Sequence, residues 1–220
     1  MNGRSLVAGT AALGDRPAGP AATVAKIRIV IPPTARPAKA VLKAVVSDRD
    51  GKPFANAWDF WLFPRVGKPE VPADVAIADF GSPEAEAARK AGKNILLVGN
   101  RKGERDIYPG WWGTDWRNAK WTQNGVATIP HPLFGAFPQE PFLSPLLFRM
   151  IGQGTPLPVA GFGEKDFVIV GEGNTDFKLY LAAKTRPDGG REVFVSGLDV
   201  FADMPESHAL LSDILSYLKR

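Results

Sequence analysis

The sequence predicts an α/β protein: a partial β-sandwich over residues 1–67, then a mixed sheet flanked by helices over 68–220. Three observations predict it. Before about residue 66, short apolar runs are split by Pro/Gly punctuation, with few helix-period patterns. From about residue 69, strand-like and helix-like patterns alternate. The length, 220 residues with 45% hydrophobic, supports a substantial core but falls short of the roughly 250 residues of a (β/α)8 barrel.

The first elements are extended. Residues 1–13 carry one basic residue, Arg4, and too loose an apolar centre for a signal peptide, so they read as an ordinary first strand. Residues 22–31 place Val24, Ile27, Ile29 and Ile31 in partial alternation, and residues 40–47 carry Val41, Leu42, Val45 and Val46. Asp48, Arg49, Asp50 and Gly51 are a turn signal, with glycine supplying positive φ. In the aromatic strand at 54–63, Trp58, Phe60 and Leu62 fall on one face and Asp59, Trp61 and Phe63 on the other. One face is expected in the sandwich and the other against the α/β domain. An immunoglobulin-like sandwich takes about 100 residues, so this one is incomplete.

The second region opens on a strand at 75–78. Ser82, Pro83 and Glu84 supply a capping hydroxyl, proline at the first helical position and an acid near the dipole, predicting a helix to about Ala91 that stops at Gly92. Residues 94–98 read as a buried parallel strand. Residues 100–125 form a long, tryptophan-rich irregular stretch. A helix follows over 141–151, with Leu143, Leu146, Leu147 and Met150 at helical spacing, then strands at 166–170 and 177–183. The turn at 186–190 leads to a strand at 192–196. The last helix starts near Asp203, Met204, Pro205 and Glu206, with Leu210, Leu211, Ile214, Leu215 and Leu218 as its stripe.

Composition excludes much chemistry. The absence of cysteine removes disulfides, thiolate nucleophiles and Cys-ligated metals. A net charge of +4, without a block of one sign, argues against nucleic acid as a partner. The longest apolar runs, such as 95–98, are too short to span a bilayer. No metal or cofactor is expected, and the compartment stays open.

Candidate residues are few. Ser196 follows a strand but lacks the glycine two residues before it that a nucleophile elbow requires. The Gly161/Gly163 and Gly171/Gly173 pairs each resemble half a phosphate loop without its strand–helix context. His131 stands between two prolines, and His208 lies near the start of the last helix. No carboxylate pair is singled out for glycoside hydrolysis. The tryptophans are more informative: Trp111, Trp112, Trp116 and Trp121 crowd a loop-like stretch beside Asp115 and Arg117. Such rings either stack on sugar faces, with the polar neighbours reaching hydroxyls, or pack the loop onto the sheet or another domain.

The NAWDFWLFP run at 56–64 resembles the N-x-W-x-F-W-x-[FY]-P strand near the C-terminus of bacterial glycoside hydrolase family 2 proteins, the family of β-galactosidases. His131, Pro132, Leu133 and Phe134 with Phe137 and Pro138 are similar to that family's H-P-x-[FL]-x-x-F-P segment. Residues 108–116 sit in the place of its aromatic loop. The strand at 193–198 and the terminal helix, with Leu211, Ser212 and Tyr217, resemble its closing elements. The similarity spans most of 40–220. It implies a late immunoglobulin-like β-sandwich followed by a flavodoxin-like mixed sheet similar to class I glutamine amidotransferases, here without a nucleophile. In such proteins the sugar-cleaving glutamates lie in a separate barrel, so no catalytic residue is carried over.

The expectation is therefore a non-catalytic accessory or structural module of a carbohydrate-active enzyme, partnered by a glycoside hydrolase barrel domain or subunit, a glycan or a second copy. Its rivals are a small independent hydrolase of glycosides or esters, using an acid pair or Ser196, and a general protein-interaction domain.

Overall fold

A computed structural model describes residues 5–14, 19–20, 22–23, 25–99, 125–141, 145–151, 155–172 and 177–219. The chain divides into two compact units, Met1–Pro64 and Arg65–Arg220.

In the first unit, β1 (Ala38–Ser47) and β2 (Pro53–Leu62) form an antiparallel two-stranded ribbon in the register Ala38↔Leu62 to Ser47↔Pro53. Asp48 sets the turn: its Oδ1 accepts from the N–H groups of Asp50 (3.0 Å) and Lys52 (2.7 Å), and Gly51 adopts φ +79°. No second sheet faces the ribbon among the described residues of this unit. Leu42, Trp58 and Phe60 are therefore exposed rather than buried in a sandwich, while Trp61 is half-buried. The segments expected as strands before residue 32 form no ladder where they are described, and among the described residues no strand lies beside them to accept their backbone groups.

The second unit is mixed α/β, mostly sheet, with few helices. Its strands are β3 (Val75–Asp79), β4 (Asn94–Val98), β5 (Gly125–Thr128), β6 (Leu157–Pro158), β7 (Phe167–Glu172), β8 (Phe177–Thr185) and β9 (Arg191–Val195). Their order is β3-β4-β9-β8-β7-β5. The first three are parallel and the later pairings antiparallel. The short β6 pairs with the start of β8, in line with β9. The helices are α1 (Pro83–Lys90), α2 (Pro145–Met150) and α3 (Pro205–Lys219).

Local chemistry fixes these elements. Ser82 Oγ accepts from the Ala85 N–H (3.1 Å), Pro83 opens α1, and Gly92 ends its turn at φ +67°. Successive side chains of β4 point to opposite faces. Ile95 and Leu97 cluster with Ala85 and Ala88 of α1. Leu96 and Val98 are buried on the other face, and α3 packs along β3, β4 and β9. The whole α3 stripe, Leu210, Leu211, Ile214, Leu215 and Leu218, is buried. The α2 helix covers part of the stretch expected to be helical; residues 142–144 lie outside the described residues.

Candidate functional site

In α/β sheets, ligands are held beyond the carboxyl ends of the parallel strands. Here that edge is formed by the ends of β3, β4 and β9. Their pairing continues past the last strand residues: Phe80 N–H donates to Val98 O (2.8 Å), and Gly99 N–H to Val195 O (2.7 Å). Ser196 follows directly. Its N–H donates to Tyr180 O (3.0 Å), and its buried Oγ donates to Thr155 O (2.5 Å). A Cβ on Gly99 would lie 2.1 Å from Ser196 Oγ, so the two chain ends meet only because residue 99 has no side chain.

This arrangement immobilises Ser196 rather than activating it. An attacking hydroxyl needs a base within hydrogen-bond reach. The hydroxyl proton is instead directed at a backbone carbonyl.

The two histidines are engaged elsewhere. His131 Nδ1 accepts from the Leu133 N–H (3.0 Å), which places the neutral ring's proton on Nε2. The ring packs edge-on against Tyr217 (5.5 Å), and the Arg191 guanidinium lies 4.8 Å from the same tyrosine ring. Burial pushes the His131 imidazole below its ordinary value, with the Asp166 carboxylate acting in the opposite direction. One helical turn before Tyr217, Asp213 Oδ2 accepts from the N–H groups of Gly135 (2.9 Å), Ala136 (2.9 Å) and Phe137 (2.8 Å). The segment 131–137 is thus stitched to one face of α3. His208 is buried, with Nδ1 3.3 Å from Val66 O and Nε2 3.4 Å from the Asp203 carboxylate.

The buried acids have structural partners. Glu192 Oε1 accepts from Arg89 Nε at 2.6 Å and from Arg186 Nη1 at 3.5 Å. Asp166 Oδ2 accepts from the Gly163 N–H (2.8 Å). Glu206 lies 3.4 Å from Arg149. Among the described residues, no group of three or more His, Asp or Glu side chains could hold a metal ion. No helix among them is long and apolar enough to cross a membrane.

Trp111, Trp112, Trp116, Trp121, Asp115 and Arg117 all lie outside the described residues. The points where the chain leaves and rejoins the sheet around them are described. Gly99 ends β4 at the carboxyl edge, and β5 runs antiparallel to β4, so Gly125 starts at that same edge. The Asp213 cradle escaped sequence reasoning because its partners are 76 to 78 positions away. Only Gly135, whose added Cβ would lie 2.8 Å from Asp213 Oδ1, hinted at a close approach.

No protein-family model matches the chain, and no curated protein or solved structure matches it at a significant level.

Proposed function

We propose that the chain is a non-catalytic accessory module of a carbohydrate-active enzyme of the β-galactosidase type. In this reading, Met1–Pro64 contributes strands of an immunoglobulin-like sandwich, and Arg65–Arg220 is an amidotransferase-like sheet without its nucleophile. The observation that carries the reading is the state of Ser196. It follows β9, the parallel strand between β4 and β8, yet its hydroxyl is donated to the Thr155 carbonyl and crowded by Gly99. Further support comes from two segments of the family resemblance, the one beginning at His131 and the terminal helix with Tyr217, which meet in space.

In the same reading, the tryptophan-rich stretch between Gly99 and Gly125 contacts the glycan, through Trp111, Trp112, Trp116 and Trp121 with Asp115 and Arg117. Both of its ends lie at the ligand-bearing edge of the sheet.

The test is direct. The pure chain turns over neither chromogenic glycosides nor esters, and it binds a family 2 barrel polypeptide from the same genome. Turnover by the pure chain that disappears in Ser196→Ala overturns the proposal in favour of an independent hydrolase. Unchanged oligosaccharide binding in folded Trp111→Ala and Trp112→Ala variants removes the glycan part alone.

A further inference from the structure

Both ring nitrogens of His208 face oxygen atoms that accept hydrogen bonds. Nδ1 lies 3.3 Å from the Val66 carbonyl oxygen and Nε2 3.4 Å from Asp203 Oδ1, and the ring itself is buried. A neutral imidazole carries one N–H and one lone pair, so it can serve one of these acceptors. At the other, its lone pair meets an oxygen lone pair. The imidazolium has two N–H groups and serves both.

The two acceptors belong to different stretches of chain. Val66 is the second residue of Arg65–Arg220, in the connector that leads to β3. Asp203 lies in the loop between β9 and α3, and His208 is in the first turn of α3, where its N–H donates to Met204 O (3.0 Å). A second contact joins the same connector to the same loop: the Lys68 ammonium lies 5.6 Å from the centroid of the Phe201 ring. A lysine ammonium keeps its charge across the range in which histidine titrates, so that contact does not respond to the same proton.

We infer that His208 is a proton-operated latch, fastening the connector at Val66 to the start of α3 as the imidazolium and releasing it as the neutral ring. On losing a proton the ring keeps one N–H. The carboxylate is the stronger acceptor, so that N–H stays on Nε2, facing Asp203. Nδ1 then presents its lone pair to Val66 O, and the connector lets go. The contact is therefore present at low pH and lost as pH rises through the range of about 5 to 8 in which histidines change charge. The device sets by pH where the connector between the two compact units is fastened.

Other charge reaches this corner from each element packed around the ring. In α3, the buried Glu206 carboxylate lies 3.4 Å from Arg149 of α2. The loop before α3 adds the exposed Asp199. On β3, the exposed Asp79 falls opposite Ala78, on the face along which α3 packs. The connector adds Arg65, Lys68 and Glu70, all exposed. Among the described residues, Asp203 is the carboxylate at ion-pair distance from the ring. Carboxylates are ordinarily ionised throughout the histidine range, which leaves the ring as the group that switches.

The inference is independent of carbohydrate chemistry, and it stands or falls without the accessory-module reading. The test uses the full chain with His131→Gln, so that the imidazole nitrogen signals come from His208 alone. Nuclear magnetic resonance should show both nitrogens protonated at low pH and the Nε2–H tautomer at high pH. Trypsin reads the connector at the Arg65–Val66 bond, beside the latched carbonyl; Lys68 precedes Pro69 and is a poor site. Cleavage there, divided by trypsin's rate on a small reference substrate at each pH, should rise about tenfold between roughly pH 5.5 and 8.5, as loss of a charge-assisted hydrogen bond requires. Asp203→Asn, at an exposed position, should shrink that rise to less than about twofold, because a neutral amide no longer holds the remaining N–H in preference to Val66 O. His208→Gln, which cannot titrate, should abolish it. Cleavage that does not rise with pH overturns the inference. So does an Nδ1–H tautomer at high pH, or a rise that survives undiminished in Asp203→Asn.

Discussion

The strands β4 and β2 are both strongly apolar, and the chain treats them in opposite ways. In β4, Ile95, Leu96, Leu97 and Val98 are all buried, because α1 covers one face, α3 the other, and β3 and β9 occupy both edges. In β2, Phe54, Trp58 and Phe60 remain exposed, with β1 as the paired neighbour along one edge. Apolar composition makes a strand eligible for a core; neighbours on both faces and both edges put it there. Stability should therefore be concentrated in Arg65–Arg220.

The largest expected effect tests that contrast at its centre. Leu97→Ala removes a fully buried side chain from the α1 layer and should cost about 3–5 kcal/mol in urea unfolding. The same change at the exposed Leu42 of β1 should cost less than about 1.5 kcal/mol. Equal costs at the two sites would erase the distinction.

Next is the charged rim below the parallel strands. The Glu192 carboxylate is buried between Arg89 and Arg186, and its presence raises the Arg89 pKa above its ordinary value. Glu192→Gln leaves two guanidinium groups facing a neutral amide. Breaking a buried pair costs about 3–5 kcal/mol, and the partial exposure of Arg89 reduces this to about 2–3 kcal/mol. High salt should narrow the difference between variant and parent only slightly; complete loss of the difference in 1 M salt, roughly a 3 Å screening length, would place the pair at the surface.

A smaller effect is expected where segment 131–137 is sewn to α3. Asp213→Ala removes three backbone hydrogen bonds, two of them to exposed residues that water can serve, for about 1–2 kcal/mol. His131 adds a pH dependence. Its folded-state value lies below the ordinary 6.5, chiefly through burial, so the unfolded chain takes up this proton first as pH falls. The contribution is complete above about pH 6.5 and is lost as pH drops below it. His131→Gln should flatten that part of the stability–pH profile. An unchanged profile would assign the slope to other groups.

Much of this fold was legible before the structure. The start of α1 was written in Ser82 and Pro83 and its end in Gly92, because caps and stops are local chemistry. The β8–β9 hairpin was written in the 186–190 turn, where Arg186 N–H donates to Gly190 O and Gly189 takes φ +84°. The α3 stripe was readable from its spacing alone. What could not be read depended on distant partners. The alternation in residues 22–31 suits a strand, but a strand also needs a neighbour, and periodicity does not report one. The two-residue β6 is too short for any pattern and exists because β8 outruns β9. Ser196 could be dismissed as an elbow from its missing glycine, yet its real setting, Thr155 on one side and Gly99 on another, joins three separate stretches of chain.

The smallest expected effect is the most informative about the ribbon. Phe54 is 56% exposed, pairs across the ribbon with Val46, and has the Lys52 ammonium 5.6 Å from its ring. A cross-strand pair of this kind contributes about 0.2–1 kcal/mol, and an exposed cation–π contact about 0.5–1 kcal/mol. Phe54→Ser in the isolated chain should therefore cost no more than about 1 kcal/mol, close to the ordinary surface range. The change should appear in exchange of the ribbon amides before it appears in the unfolding of the larger unit. A loss approaching that of Leu97→Ala would mean that the Phe54 face is already covered in solution. The contrast between the two units would then describe packing that the isolated chain completes for itself.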